Sequence, residues 1–412
     1  MKRLLGLVTS SGARDTYVLT AGNLADSFIA FLFTVISFRL LTASDFGLFS
    51  AFNNLIFSAS MILDFGLSQA LLYYLPHQQN QGRHITMGSA IALRLLIASI
   101  FALLLAILAP LLSTHFFPGS SIRLVYISSL AIIFASFIDV LIFSLQGLRK
   151  FFLSIVVSNT YSICRLLAVL IIAKFAFVYT ASEALSITVY GPIIGILLAL
   201  YLLKPQKPTL SLARKLLSFG GFMGLYRICQ IIALRSDIQI VLTTLGANIA
   251  GTYSVAARMG NFYPLIIVTL NSLFSSRLRI FKDNRIPFAF LKKSLFLTLG
   301  VVGIMLACAW QAPLIIRLLF GTKALGAGLI YRYLTLAYIP LMMATLPIAI
   351  IVFRHAATKF MGLLGLLQVI TMLFVSYLSV SHFAQFGPVL GLTIANSLVL
   401  LISCYKVFKL WK

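Results

Sequence analysis

Apolar runs long enough for a helix to cross a bilayer recur along almost the whole chain, separated by short polar or Gly/Pro clusters. They fall near 17–41, 46–75, 85–113, 121–147, 151–174, 180–203, 216–243, 249–276, 289–319, 327–353, 358–380 and 387–408. About 20 apolar residues of helix span the hydrocarbon of a bilayer. The pattern therefore predicts an all-α polytopic membrane protein with about twelve transmembrane helices. Several runs exceed about 25 residues, which calls for tilted spans or for helix reaching beyond the hydrocarbon. The connections are short, so almost nothing of the chain is expected outside the membrane. The first run follows Arg14-Asp15 and is too long for the apolar core of a cleaved signal, so it reads as the first span.

Composition agrees with this pattern. Apolar residues make up 61% of the chain and charged residues 10%, against about 25% charged in a soluble domain. Cys164, Cys229, Cys308 and Cys404 all lie in apolar segments without disulfide or metal spacing. The histidines His77, His84, His115, His355 and His382 pair with no carboxylate at catalytic or metal spacing. There is no phosphate-binding loop of the Walker type, so ATP is not expected as the direct drive. No cofactor and no metal is expected, and the chain is not expected to be an enzyme.

The formal charge of +24 would suggest a nucleic-acid partner in a soluble protein. Here its distribution gives another reason, and no nucleic-acid partner is expected. With the N-terminus in the cytoplasm, the inner segments carry twenty-one basic residues. These are Lys2, Arg3, Arg14, Arg83, Arg149, Lys150, Lys204, Lys207, Arg214, Lys215, Arg277, Arg279, Lys282, Arg285, Lys292, Lys293, Arg354, Lys359, Lys406, Lys409 and Lys412. The outer segments carry six: Arg39, Arg123, Lys174, Arg317, Lys323 and Arg332. The positive-inside rule then places both termini in the cytoplasm and makes the span number even.

Lys204-Pro205-Gln206-Lys207-Pro208 reads as a central linker dividing the chain into two six-helix bundles, 1–205 and 206–412. The halves carry traces of a repeat. Gly47, Phe49 and Ser50 open the second span, and Gly251, Tyr253 and Ser254 open the eighth, after Leu41-Thr42 and Leu242-Thr243. Two six-helix halves related by an axis along the membrane normal form a transporter architecture. Gly220-Gly221, Gly224, Pro264, Pro313, Pro340 and Pro347 interrupt the spans and predict kinks or close helix contacts.

Five arginines, Arg94, Arg165, Arg227, Arg235 and Arg258, and four aspartates, Asp26, Asp64, Asp139 and Asp237, fall within spans. A charge at mid-bilayer costs at least about 2.5–3.5 kcal/mol, so these groups must pair or face a wet cavity. Ion pairing between helices is one reading. A cavity for an anionic substrate is the other, because the guanidinium fork binds phosphate in two places and keeps its proton. Arg227 and Arg235 lie about 80° apart around one helix, near enough to flank one face. Asp237 points away from Arg235, toward a neighbouring helix or the outer mouth. Asp26, in mid-span, reads either as a carboxylate satisfied by a nearby arginine or hydroxyl, the reading with the greater weight, or as a carrier of H⁺ or Na⁺. Asp64, before Phe65-Gly66, reads as helix-end geometry.

The stretch Phe38-Arg39-Leu40-Leu41-Thr42-Ala43-Ser44-Asp45-Phe46-Gly47-Leu48-Phe49, with Leu63-Asp64-Phe65-Gly66-Leu67 after it, resembles polysaccharide exporters of the multidrug/oligosaccharidyl-lipid/polysaccharide (MOP) superfamily. So do Phe219-Gly220, Arg235-Ser236-Asp237, Gly251-Thr252-Tyr253-Ser254-Val255-Ala256 and Phe386-Gly387-Pro388-Val389-Leu390-Gly391. Within that superfamily the chain looks most like the Wzx-type O-antigen flippases. The resemblance implies two six-helix bundles in a V around a central, often cationic cavity. It implies movement of polyprenyl-pyrophosphate-linked oligosaccharide, a lipopolysaccharide precursor, between leaflets of the bacterial inner membrane. A polysaccharide polymerase and a chain-length regulator are possible protein partners. Arg94, Arg165, Arg227, Arg235 and Arg258 would then meet the substrate, and Asp26 and Asp237 would serve ion coupling. Of these, Asp237 alone matches the family pattern position by position. A drug or lipid exporter of the same superfamily is the nearest alternative. A membrane polymerase fits less well, for want of a large outer loop.

Overall fold

The computed structural model describes residues 11–78, 80–175, 177–209, 212, 221–278, 288–353 and 357–411. Among them every regular element is helical. The chain divides into two compact units, Met1–Gly221 and Phe222–Lys412.

The main helices of the first unit are α1 (Ser11–Leu40), α2 (Ala43–Ile62), α3 (Leu67–Tyr74), α4 (Asn80–Ile107), α5 (Ile122–Gly147), α6 (Phe151–Phe175), α7 (Ala181–Tyr190) and α8 (Ile193–Leu203). Those of the second are α9 (Gly221–Leu245), α10 (Ala247–Gly260), α11 (Phe262–Leu278), α12 (Phe288–Trp310), α13 (Ala312–Phe320), α14 (Leu325–Met343), α15 (Thr345–Phe353), α16 (Thr358–Phe383) and α17 (Gly387–Trp411). The described residues hold nine stretches long and apolar enough to cross a membrane, or ten when α2 and α3, bent by 46°, form one span. One of the nine, Lys359–Leu410, is 52 residues long, about 78 Å of helix against about 30 Å of hydrocarbon. It comprises α16 and α17 packed side by side, which is two crossings. Helices α10 and α11, of 14 and 17 residues, are each too short to be counted alone and together are long enough for one. Each unit then has six crossings, consistent with the twelve apolar runs.

Breaks inside spans follow the prolines. Pro192 precedes α8, and Pro264, Pro313 and Pro347 lie in the first turns of α11, α13 and α15. A proline has no N–H to donate, so it is tolerated in a first turn, where that donor has no partner anyway. Pro340 is inside α14, and its carbonyl accepts the N–H of Ala344, where α14 ends. Gly220 lies outside the described residues. At Gly224 an added Cβ would meet nothing within 4 Å among the described residues.

In each unit the fourth crossing is the hub. Helix α5 touches α2, α3, α4, α6, α7 and α8. Around it Leu71, Leu75, Met87, Ala90, Leu141 and Leu145 are fully buried. In the second unit α14 packs on α10, α12, α13 and α17, with Leu334, Ala337 and Leu341 buried. Large apolar side chains such as Phe296, Trp310 and Tyr201 are more than two-thirds exposed. That suits a surface turned to lipid rather than to water.

The segment after α8 folds back on α4. Gln206 N–H donates to the His84 carbonyl (3.1 Å), and Thr209 N–H donates to Ser89 Oγ (2.9 Å). His84 Nδ1 lies 3.1 Å from the carbonyls of both Leu203 and Lys204. Gly88 makes this approach possible, since a Cβ there would sit 1.8 Å from the Gln206 carbonyl oxygen. The segment that reads as a linker is thus held against the first unit through Thr209.

Candidate functional site

Arg94, Arg165 and Asp26 belong to the first unit. Arg227, Arg235, Asp237 and Arg258 belong to the second.

Arg94, on α4, is 1% exposed and is the largest fully buried side chain among the described residues. Its guanidinium meets Asp64 Oδ1 at 3.5 Å and Asp139 Oδ2, from α5, at 3.9 Å. It also donates to the Ser60 carbonyl of α2 at 2.5 Å. Ser60 Oγ donates to Asp139 (2.6 Å). The sequence sets up this corner locally. The chain turns between α2 and α3 through Phe65 and Gly66, both at positive φ (42° and 80°). Asp64 then caps α3 by accepting from the Ser68 N–H and hydroxyl (3.2 and 2.6 Å). Asp64 is therefore both the helix-end residue expected from sequence and half of a buried ion pair.

Arg165 sits in a different environment. Its guanidinium carbon lies 4.2 Å from the centre of the Phe33 ring of α1 and 5.1 Å from that of Tyr161. Cation–π contact of this kind holds a cation while leaving its N–H groups available. One N–H donates to the Tyr161 hydroxyl (3.2 Å), and Nε is buried with no hydrogen-bond partner among the described residues. No described carboxylate forms an ion pair with it. One turn away on α6, Ser162 donates to Asp26 Oδ1 of α1 (2.6 Å). Asp26 and Arg165 thus share the α1–α6 seam. Ser37 and Tyr179 hydroxyls meet at 2.9 Å near the end of that seam. Burial pushes the Tyr179 phenol up to about 12, so it keeps its proton across the physiological range.

In the second unit, Arg227 is exposed, while Arg235 and Arg258 are half-buried. Asp237 is buried and accepts hydrogen bonds from the Tyr253 hydroxyl of α10 (3.0 Å) and the Ile238 N–H (2.8 Å). This is the neighbouring-helix contact expected from its angular offset to Arg235. Tyr263 bridges α11 to α14 through the Tyr331 and Thr335 hydroxyls, both at 2.8 Å. Gln368 donates to Asn396 (3.0 Å), which donates to the Ala337 carbonyl of α14 (2.9 Å).

The described residues contain no group of three or more His, Cys, Asp or Glu that could hold a metal, and all four cysteines are free. His84, given no role from sequence, holds the connector.

A model of the polysaccharide biosynthesis protein family matches residues 13–275. The chain belongs to that family. No curated protein matches it in sequence. Its fold is that of solved MOP-superfamily structures. An inward-facing multidrug resistance MATE family transporter of that superfamily is similar with a TM-score of 0.75 at 15% identity, covering 93% of this chain and 95% of the other. The lipid II flippase MurJ, in an inward closed conformation, is similar at 0.73 and 18%, covering 95% and 87%. A MOP-superfamily transporter from Pyrococcus furiosus with a binding pocket of reverse polarity gives 0.58 and 16%, covering 97% and 94%. The family member described here is thus a multi-pass membrane protein with a MATE- and MurJ-like fold.

Charged residues in apolar runs were visible in the sequence, but their neutral partners were not. Ser60, Ser162, Tyr161 and Tyr253 are single hydroxyls among many. The legible signal was the spacing Ser158, Ser162, Arg165, which puts three polar residues on one face of α6.

Proposed function

We propose that the chain is a flippase carrying polyprenyl-pyrophosphate-linked oligosaccharide from the cytoplasmic to the outer leaflet of the bacterial inner membrane. It would act by alternating access, with two six-helix halves, 1–205 and 206–412, and both termini in the cytoplasm. Such units build O-antigen and related lipopolysaccharide, so a polymerase and a chain-length regulator would act on the product. Membership of a polysaccharide biosynthesis family supports the pathway, and the likeness to a lipid flippase supports the reaction.

The observation that carries the reading is the contrast between two intramembrane arginines. Arg94 is enclosed by Asp64 and Asp139 and acts as an internal clamp. Arg165 is held by aromatic rings without an ion-paired carboxylate among the described residues. It keeps a full positive charge for an anionic group, since a guanidinium does not deprotonate. Arg227, Arg235 and Arg258 add positive charge on the second half, while Asp26 and Asp237 carry the coupling H⁺ or Na⁺.

The test is leaflet assignment of labelled lipid-linked oligosaccharide in cells relying on each variant. Arg165→Ala should slow flipping at least about tenfold, with Arg165→Lys partly active, because an ammonium keeps the charge but loses the fork. Asp26→Asn and Asp237→Asn should remove dependence on an imposed ion gradient. Normal flipping by Arg165→Ala would sink the assignment of that residue. An ion-coupled exporter of drugs or other lipids is the second reading, favoured by the equally strong likeness to a MATE transporter. It predicts dye efflux by the wild type and no effect on the leaflet of the oligosaccharide lipid.

A further inference from the structure

A crevice of about 340 Å³ lies in the second unit between α11 and α12, and none of the intramembrane arginines lines it. Its floor is apolar. Phe274 is fully buried and meets Phe290 edge-on, with ring centres 6.5 Å apart. Its walls are Leu273 and Leu297, each 42% exposed. Its polar groups are Lys293, which is exposed, and Ser294, which is 4% exposed. Phe290, Lys293, Ser294 and Leu297 follow one another at the spacing of one helical face. Going along α12, the crevice therefore runs from an aromatic floor, past an ammonium and a hydroxyl, to an aliphatic wall. In sequence, Lys292 adjoins Lys293, and the connection from α11 to α12 carries Arg279, Lys282 and Arg285 against the single acid Asp283.

The geometry points to a binding site for an anionic phospholipid. The headgroup phosphate would bond to Lys293 Nζ and Ser294 Oγ, and the first methylenes of an acyl chain would lie between Leu273 and Leu297. A free polar anion would leave the aliphatic walls without a partner. A neutral lipid would leave the Lys293 ammonium uncompensated. A basic pocket between membrane helices is the arrangement that captures acidic headgroups, each lysine adding roughly fivefold to affinity. The site uses none of the residues assigned to transport, so it stands whichever substrate the chain carries.

The full chain, purified in detergent, would be titrated with phosphatidylglycerol and with phosphatidylcholine of the same acyl chains, reading bound lipid by native mass spectrometry. Inorganic phosphate would be the competitor. Phosphatidylglycerol should bind the wild type in preference to phosphatidylcholine. Lys293→Gln should weaken it about fivefold, Lys293→Arg should retain it, and Leu297→Trp, which fills the crevice without touching the charge, should also weaken it. Lys323→Gln, on a different connection, should bind as wild type. Wild-type phosphatidylglycerol binding in both Lys293→Gln and Leu297→Trp would overturn the proposal. So would displacement of the lipid by millimolar inorganic phosphate, which would make the site one for free anions.

Discussion

Replacing Arg94 by Met separates a structural clamp from a substrate contact. Methionine fills much of the volume of the arginine stem but removes the guanidinium. It leaves Asp64, whose side chain is 12% exposed, and Asp139, at 41%, without that cation. Breaking a buried ion pair from one side typically costs about 3–5 kcal/mol. The low end applies here for two reasons. Asp64 keeps the N–H and hydroxyl of Ser68, and Asp139 keeps Ser60 Oγ and is exposed enough to be hydrated or protonated. About 3 kcal/mol in a unit of this size corresponds to a fall in the thermal midpoint of about 6–12 °C. The assay is fluorescence-detected size exclusion after heating, on protein extracted from membranes. It is paired with leaflet assignment of the oligosaccharide lipid at a temperature where the variant is folded. Neutralising the orphaned acids in Arg94→Met/Asp64→Asn/Asp139→Asn should restore at least half of the lost stability, because the remaining groups are then uncharged. A single Arg94→Met variant as heat-stable as wild type but unable to flip would refute the clamp and return Arg94 to the substrate path.

Two further substitutions probe the connector and the second unit. Gly88→Ala places a methyl 1.8 Å from the Gln206 carbonyl oxygen, so the 203–209 segment must lift from α4. It then loses three contacts of about 1 kcal/mol each, and amide exchange at Gln206 and Thr209 should speed up at least about tenfold while the α5 amides stay protected. Tyr253→Phe removes the hydroxyl donating to buried Asp237, which should cost about 1–3 kcal/mol, read as a lower thermal midpoint; an unchanged midpoint would mean that Asp237 has other sufficient donors.

The helical layout was legible because a bilayer imposes one length on every apolar run. The six runs of the first half match the observed helices to within about six residues at each end, and 151–174 to within one of Phe151–Phe175. The linker was harder to place. Lys204-Pro205-Gln206-Lys207-Pro208 has the composition of a free connection. Its attachment depends on a missing side chain at Gly88 and on the carbonyl and ring nitrogen of His84, which no pattern of polarity reports. The site was half legible. Nine charges in apolar segments announced themselves by their cost, but which of them pair depends on how α2, α4 and α5 converge. Sequence separation hides that, since Ser60, Arg94 and Asp139 are dozens of residues apart.

The two arginine environments also differ in what they would do during a transport cycle. Around Arg94 the partners come from α2, α4 and α5, and α5 is the hub of its unit. A change that pulled those helices apart would expose unlike charges to hydrocarbon, so this corner resists rearrangement and favours motion of the unit as a rigid body. Around Arg165 the partners are ring faces of Phe33 and Tyr161, which attract a cation over a range of positions and give up little when it shifts. A phosphate arriving at Arg165 displaces no carboxylate first, whereas one arriving at Arg94 must break two ion pairs. On that ground the proposed contact with an anionic headgroup would lie at the α1–α6 seam of the first unit, and substitutions there should change flipping rate before they change stability, the reverse of the order expected at Arg94.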